Sequence, residues 1–250
     1  MTGRSRPQCE HASSRGASIP WPTCETRGMR QVIGEILPFA VVVMVSPINI
    51  IAAILLLFSP RPVPAAAAYL AGFAAGVGAV LVTFDLVAEQ VDWSSSDSSR
   101  VAAVMRIALG VLLLVAAVKK LRKHGAAEGP PELGPRMQGI SAMAPRRAAR
   151  SGLTIGALNP KNIAMALASA LAIGAAGLSG AQSVAVIVIY VVLASLGVAT
   201  PLVVTLVLGD RSTSILEGWH HWLEQYNEVV MAVLYLVFAF VLIGNGIQKW

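Results

Sequence analysis

Apolar residues in this chain gather into six long runs separated by short polar stretches. Each run is long enough to cross a hydrocarbon core as a helix, which takes about 20 residues. They lie at Ile33–Phe58, Ala65–Leu86, Val101–Leu121, Gly152–Gly174, Ser183–Leu208 and Val229–Gly246. The runs are rich in Ala, Val, Leu and Gly and lack the short alternating segments of a membrane barrel. Small residues such as Gly72, Gly76 and Gly78 suit close helix approach. The pattern predicts an all-α fold, a polytopic bundle of six transmembrane helices. Composition agrees, with 56% hydrophobic and only 13% charged residues, against about 25% charged in soluble domains.

Charge sets the expected topology. Lys119, Lys120, Arg122, Lys123, Arg136, Arg146, Arg147 and Arg150 fall between the third and fourth runs, which marks a cytoplasmic loop. Glu89, Asp92 and Asp97 against Arg100 place the preceding loop outside, and threading from there puts both termini outside. Gly129-Pro130-Pro131 and Gly134-Pro135 predict a flexible 119–150 loop. The N-terminal tail, with Arg4, Arg6, Arg15 and Arg27, conflicts with an outside terminus and has no apolar signal core. A start at Met29 would resolve the conflict, and a genuine basic tail is the alternative. Cys9 and Cys24 both lie in that tail, so no thiol chemistry is expected within the membrane. The organisation expected is a basic tail at 1–28, a first three-helix repeat at 29–125, a basic cytoplasmic linker at 126–150 and a second repeat at 151–250.

The fourth run carries an anomaly. Asn159, Pro160, Lys161 and Asn162 interrupt it, and at about 1.5 Å per residue Lys161 stands roughly 13 Å inside. A lysine at that depth costs about 2.5 kcal/mol or more unless it faces protein or water. The first run echoes the interruption, because Pro47, Asn49 and Ile50 match Pro160, Asn162 and Ile163 at a spacing of 113 residues. A second echo pairs "YLAGFAAG" from Tyr69 with "YVVLASLG" from Tyr190, at a spacing of 121. Three helices are an odd number, so such repeats insert with opposite orientation, a recurring transporter design with broken helices at the midplane. Proline frees a carbonyl one turn earlier, and that acceptor needs a partner inside the protein. Pro47, Asn49, Asn159, Pro160, Lys161 and Asn162 are therefore the candidate substrate-binding or transport-path residues. The competing reading of Lys161 is structural: it snorkels or pairs with a freed carbonyl.

The "LNPKN" that opens the fourth run, the "SP" of the first and the six-run layout resemble the lysine exporter (LysE) superfamily. Within it, "LPFAVVVMVSPINIIAAILLLFSPRP" is similar to the GAP family of peptidoglycolipid- and sulfolipid-addressing proteins of actinobacteria. The resemblance covers Met29 to Trp250 and implies export or flipping of a cell-envelope glycolipid or precursor across the plasma membrane. By that resemblance, Pro47 and Asn49 answer to the first-span motif, and Asn159, Pro160 and Lys161 to the fourth. The first run lacks the Pro-Gly-Pro pattern of the amino-acid exporters, which weighs against an amino-acid substrate. The expected partners are membrane lipids, a lipid synthase or larger lipid exporter, and a second copy of the chain as a homodimer. Two other readings stay open: a small-solute exporter of amino acids or ions, and a non-transporting partner of a lipid synthesis complex.

Other polar residues carry weaker signals. Asp85, with Glu89 one turn later, is a candidate proton or cation relay. Glu35 and Arg106 read as headgroup anchors, and Thr200-Pro201 as a kink in the fifth run. From Ser212, "STSILEGWHHWLEQYNE" places Ile215, Leu216, Trp219, Trp222, Leu223 and Tyr226 on one face, predicting an interfacial helix near 212–227. His220 and His221 lack a further ligand at a zinc-like spacing, so no metal is expected. The sequence contains no nucleophile elbow, phosphate-binding loop or His/Cys cluster, and neither enzymatic activity nor a cofactor is expected. Positive-inside loops account for the net charge of +6, so nucleic acid is not implied.

Overall fold

A computed structural model describes residues 28–88, 90, 96–126 and 143–247. The described residues are helical throughout, with no strand. Eight α-helices follow in order: α1 Met29–Met44, α2 Pro47–Leu57, α3 Pro62–Ala88, α4 Ser96–Ala126, α5 Pro145–Leu158, α6 Pro160–Gly174, α7 Gly180–Leu208 and α8 Ser212–Ile247. A short 3-10 turn, Gly209–Arg211, joins α7 to α8.

The two interruptions are real helix breaks. α1 and α2 meet at 49° around Val45 and Ser46, and Asn159 separates α5 from α6. Proline stands at the first position of α2, α5 and α6, where its missing N–H costs nothing and its fixed φ favours helix. α7 begins with a reciprocal capping box, in which the Ser179 hydroxyl accepts from the Gln182 N–H and the Gln182 side chain from the Ser179 N–H. It ends at Gly209, whose φ of +54° suits glycine. Pro201, by contrast, sits inside α7 and the helix runs through it.

The second halves of the two breaks form the centre. α6 buries Lys161 and Asn162 and most of its apolar residues, and α2 is sunk to a similar degree. Around them, the most apolar windows of α3, α7 and α8 are only 28–33% buried, so their outer faces are free to meet lipid. α3 packs closely on α5 through glycines four apart on each helix. A Cβ on Gly72 would collide with the Ala149 carbonyl, and one on Gly152 with the Tyr69 carbonyl. Gly76 and Gly156 repeat the arrangement, a Cβ there lying 2.5 Å from Leu153 O and 2.7 Å from Phe73 O. This is small-residue packing, which brings backbones into van der Waals contact where lipid gives no hydrophobic drive. α4 and α8 pair along their lengths, and a Lys120–Glu228 ion pair of 2.7 Å ties them together.

Among the described residues, three helices are long and apolar enough to cross a membrane: Pro62–Ala88, Gly180–Leu208 and Ser212–Gly244. The bent α1–α2 pair makes a fourth. These helices describe a multi-pass membrane protein. Helices α4 and α5–α6 occupy the third and fourth predicted runs but do not join that count.

Several boundaries differ from the sequence reading. α4 continues to Ala126 and α5 starts at Pro145, so both ends of the loop expected to be flexible are helical. Pro145 begins α5, and 127–142, with Gly129-Pro130-Pro131 and Gly134-Pro135, lie outside the described residues. The interfacial helix expected near 212–227 is not a separate element. It runs into the last apolar stretch as one 36-residue helix, because no glycine or proline falls between Gly218 and Gly244. The tail with Cys9 and Cys24 lies outside the described residues.

Candidate functional site

A broken helix leaves carbonyls without donors at the end of its first half. In α1 the last helical turn closes with Val45 N–H donating to Val41 O at 2.9 Å. The next two carbonyls, of Val42 and Val43, would look to Ser46, which lies outside the helix, and to Pro47, which has no N–H. The Lys161 side chain supplies one replacement. Its Nζ donates to Val42 O at 3.1 Å, across 119 residues of sequence, and the side chain is 3% exposed. A cation at a helix C-terminus also meets the negative end of the helix dipole.

The second break closes itself. Pro160 leaves the Gly156 carbonyl without its donor, and Asn162 Nδ2 donates to Gly156 O at 3.1 Å and to Ile155 O at 3.3 Å. Asn159 Oδ1 accepts from the Lys161 backbone N–H at 3.1 Å, capping α6. One Asn-Pro-Lys-Asn stretch thus starts α6, seals the end of α5 and reaches over to seal α1.

Asn49 does none of this. It is fully buried, and among the described residues its Oδ1 and Nδ2 have no hydrogen-bond partner, nor does the buried Ser46 Oγ beside it. Asn162 Oδ1 is likewise unpartnered. Unpaired buried polar groups of this kind cost about 1–3 kcal/mol each, and they call for a ligand group or water. Pro47 is buried at the start of α2, whereas Pro160 is exposed.

The remaining candidates separate from this cluster. Asp85 is 6% exposed, sunk within α3, and Glu89 lies outside the described residues. Arg106 is not a headgroup anchor. It is 5% exposed and Nη2 donates to Leu171 O at 3.4 Å, binding α4 to the central α6. Glu35 is half-buried. His220 meets Glu224 within its own helix at 3.4 Å. Sequence reasoning gave no sign of Arg106's contact with α6, because the acceptor there is a backbone carbonyl.

A cavity of about 450 Å³ adjoins the first break. Met44 and Val45 form one wall and Trp219 and Trp222 of α8 another. Gly197 of α7 lies between, and a Cβ there would collide with the Met44 carbonyl.

A family model for Sap, the sulfolipid-1-addressing protein, matches residues 36–248. That span holds both breaks and all six candidate residues. The chain belongs to the Sap family. Sap-family membership suggests a role in lipid addressing or export and involvement with a lipid pathway. No curated protein and no solved structure gives a match.

Proposed function

We propose that this chain is a membrane transporter that exports or flips a cell-envelope lipid, or its precursor, across the plasma membrane. The observation that carries the reading is the buried Lys161 Nζ on the end of a broken helix in the other half of the chain. Its partner is a single neutral carbonyl, so an anionic lipid headgroup, as the family's sulfolipid name suggests, would compete for it strongly. Charge-assisted contacts to an anion are roughly twice as strong as neutral ones. Lys161 moving from Val42 to the headgroup would release the end of α1 and loosen the break. Asn49, Ser46 and Asn162 offer unpaired groups to the rest of the headgroup.

In this reading the chain is two inverted three-helix repeats with six spans. The packing supports that arrangement: α3 rests on α5 and α6, while α7 rests on α1 and α2. Tyr69 and Tyr190, 121 residues apart, are both fully buried. Gly76 and Gly197, at the same spacing, each press on the first half of the opposite break. In this reading the basic ends of α4 and α5 face the cytoplasm. The LysE superfamily is the wider group this layout fits.

Surface-lipid profiling of a deletion strain tests the reading. The expected result is one envelope lipid lost from the surface, accumulated inside, and restored by the wild-type gene. Complementation with Lys161→Ala, at equal membrane abundance, is expected to fail. An unchanged profile across growth conditions would turn the reading towards small-solute export.

A further inference from the structure

We infer that the cavity beside the first break is the acyl-tail site of the exported lipid, with the headgroup at the break itself. This deepens the transport reading and rests on it for the identity of the cargo. The cavity has the volume of a small-molecule site, but its lining is wrong for a polar ligand. Thr200 contributes its one hydroxyl, and that hydroxyl already donates to Leu196 O at 2.7 Å. Beyond the two indole N–H groups and the remaining acceptor capacity of Thr200 Oγ1, the side chains that line it offer almost nothing to a hydrogen-bonding guest. A headgroup there would lose its solvation without replacement, and water would find too few partners. A hydrocarbon tail needs none.

Position argues for the same occupant. The walls come from α7, α8 and the α1–α2 pair, all apolar enough to cross a membrane, so the surrounding phase is made of tails. Thr200 and Trp219 each stand roughly 10–12 Å along their helices from the α7–α8 turn. Leu196 and Trp222 are 45% and 52% exposed, which leaves the cavity mouth open to the side. Met44 and Val45, which wall it, follow directly after Val42 and Val43, whose carbonyls are the ones left without helical donors. The apolar cavity and the lysine-held break therefore lie back to back on one stretch of chain, matching the two ends of a lipid.

The test uses the full chain in proteoliposomes containing phosphatidylglycerol with a diazirine at the end of one acyl chain. Adducts mapped by mass spectrometry are expected to concentrate on Met44, Val45 and Trp222, above the exposed α7 positions Val188 and Val192. Filling the cavity with Thr200→Trp should lower cavity adducts by about tenfold and leave those at Val188 unchanged. Leu196→Trp serves the same purpose should the first variant fail to insert. Adducts spread evenly over α7, or indifferent to both variants, would overturn the site. The deletion strain complemented with the filled variant then identifies the tail's owner. Lost export supports the cargo lipid, while normal export with lost adducts overturns that assignment. Unchanged surface lipids on deletion would defeat the transport reading and the cargo assignment together, and cavity adducts would still establish a tail site.

Discussion

The two helix breaks start from nearly the same sequence and end in different electrostatic states. Both place a proline at the first position of the second half, and both leave a carbonyl pair behind. At the second break Asn162 turns back from α6 and caps the end of α5. At the first break the matching residue, Asn49, leaves both its polar atoms unpaired among the described residues, and the cap arrives from the other half of the chain as Lys161. Ile48 stands where the second break has Lys161. The second break is thus closed by its own residues, whereas the first depends on a long lysine side chain reaching over from the other half of the chain. Under the proposed transport reading, this difference is what lets one break open while the other stays closed.

Breaking this asymmetry should matter most at Lys161. Lys161→Ala removes the cap and leaves Val42 unpaired, at about 1–3 kcal/mol, and is expected to abolish lipid export while the protein still inserts. Export assays normalised to membrane abundance check this. Next comes the packing that holds α7 on the first break. Gly197→Ala should cost about 1–3 kcal/mol through overpacking, seen as earlier thermal unfolding in detergent. Gly78→Ala, whose Cβ would rest 3.4 Å from Val191 Cγ2, should unfold with the wild type. A smaller loss sharpens the comparison between the asparagines. Asn162→Ala should destabilise by about 1–2 kcal/mol as two carbonyls lose a donor. Asn49→Ala breaks no hydrogen bond and should leave stability almost unchanged, yet it should lower export. Equal unfolding of the two variants would contradict the difference between the breaks. Lys120→Ala, which removes a partly exposed ion pair, should change stability least, by about 0–1 kcal/mol.

Much of this was legible in the residues. Apolar runs marked the helices, prolines marked the breaks, and the 113-residue echo tied Pro47 to Pro160. The Tyr69 and Tyr190 echo also carried the glycines that press on the opposite breaks. Pairing with a freed carbonyl was one of the two structural readings of Lys161. Which carbonyl it would meet was not legible, because every residue supplies one and this one lies 119 residues away. Arg106 misled for the same reason, since an arginine one turn inside an apolar run looks the same whether it faces headgroups or Leu171. The helical ends of the basic loop were hidden by its Gly129-Pro130-Pro131 and Gly134-Pro135 clusters, which signal a loop but not where it begins or ends. The unbroken α8 was hidden by amphipathicity, which predicts a face but not where a helix stops.

The most direct test of the lysine-held break is lipid flipping by the purified chain. Proteoliposomes with a fluorescent phosphatidylglycerol report the rate at which tail-labelled lipid becomes accessible to an outside quencher. The wild type should exceed protein-free vesicles, and Lys161→Ala should fall to the protein-free rate at equal insertion. Equal rates for the two proteins, both above protein-free vesicles, would contradict the account and leave Lys161 as a structural cap alone.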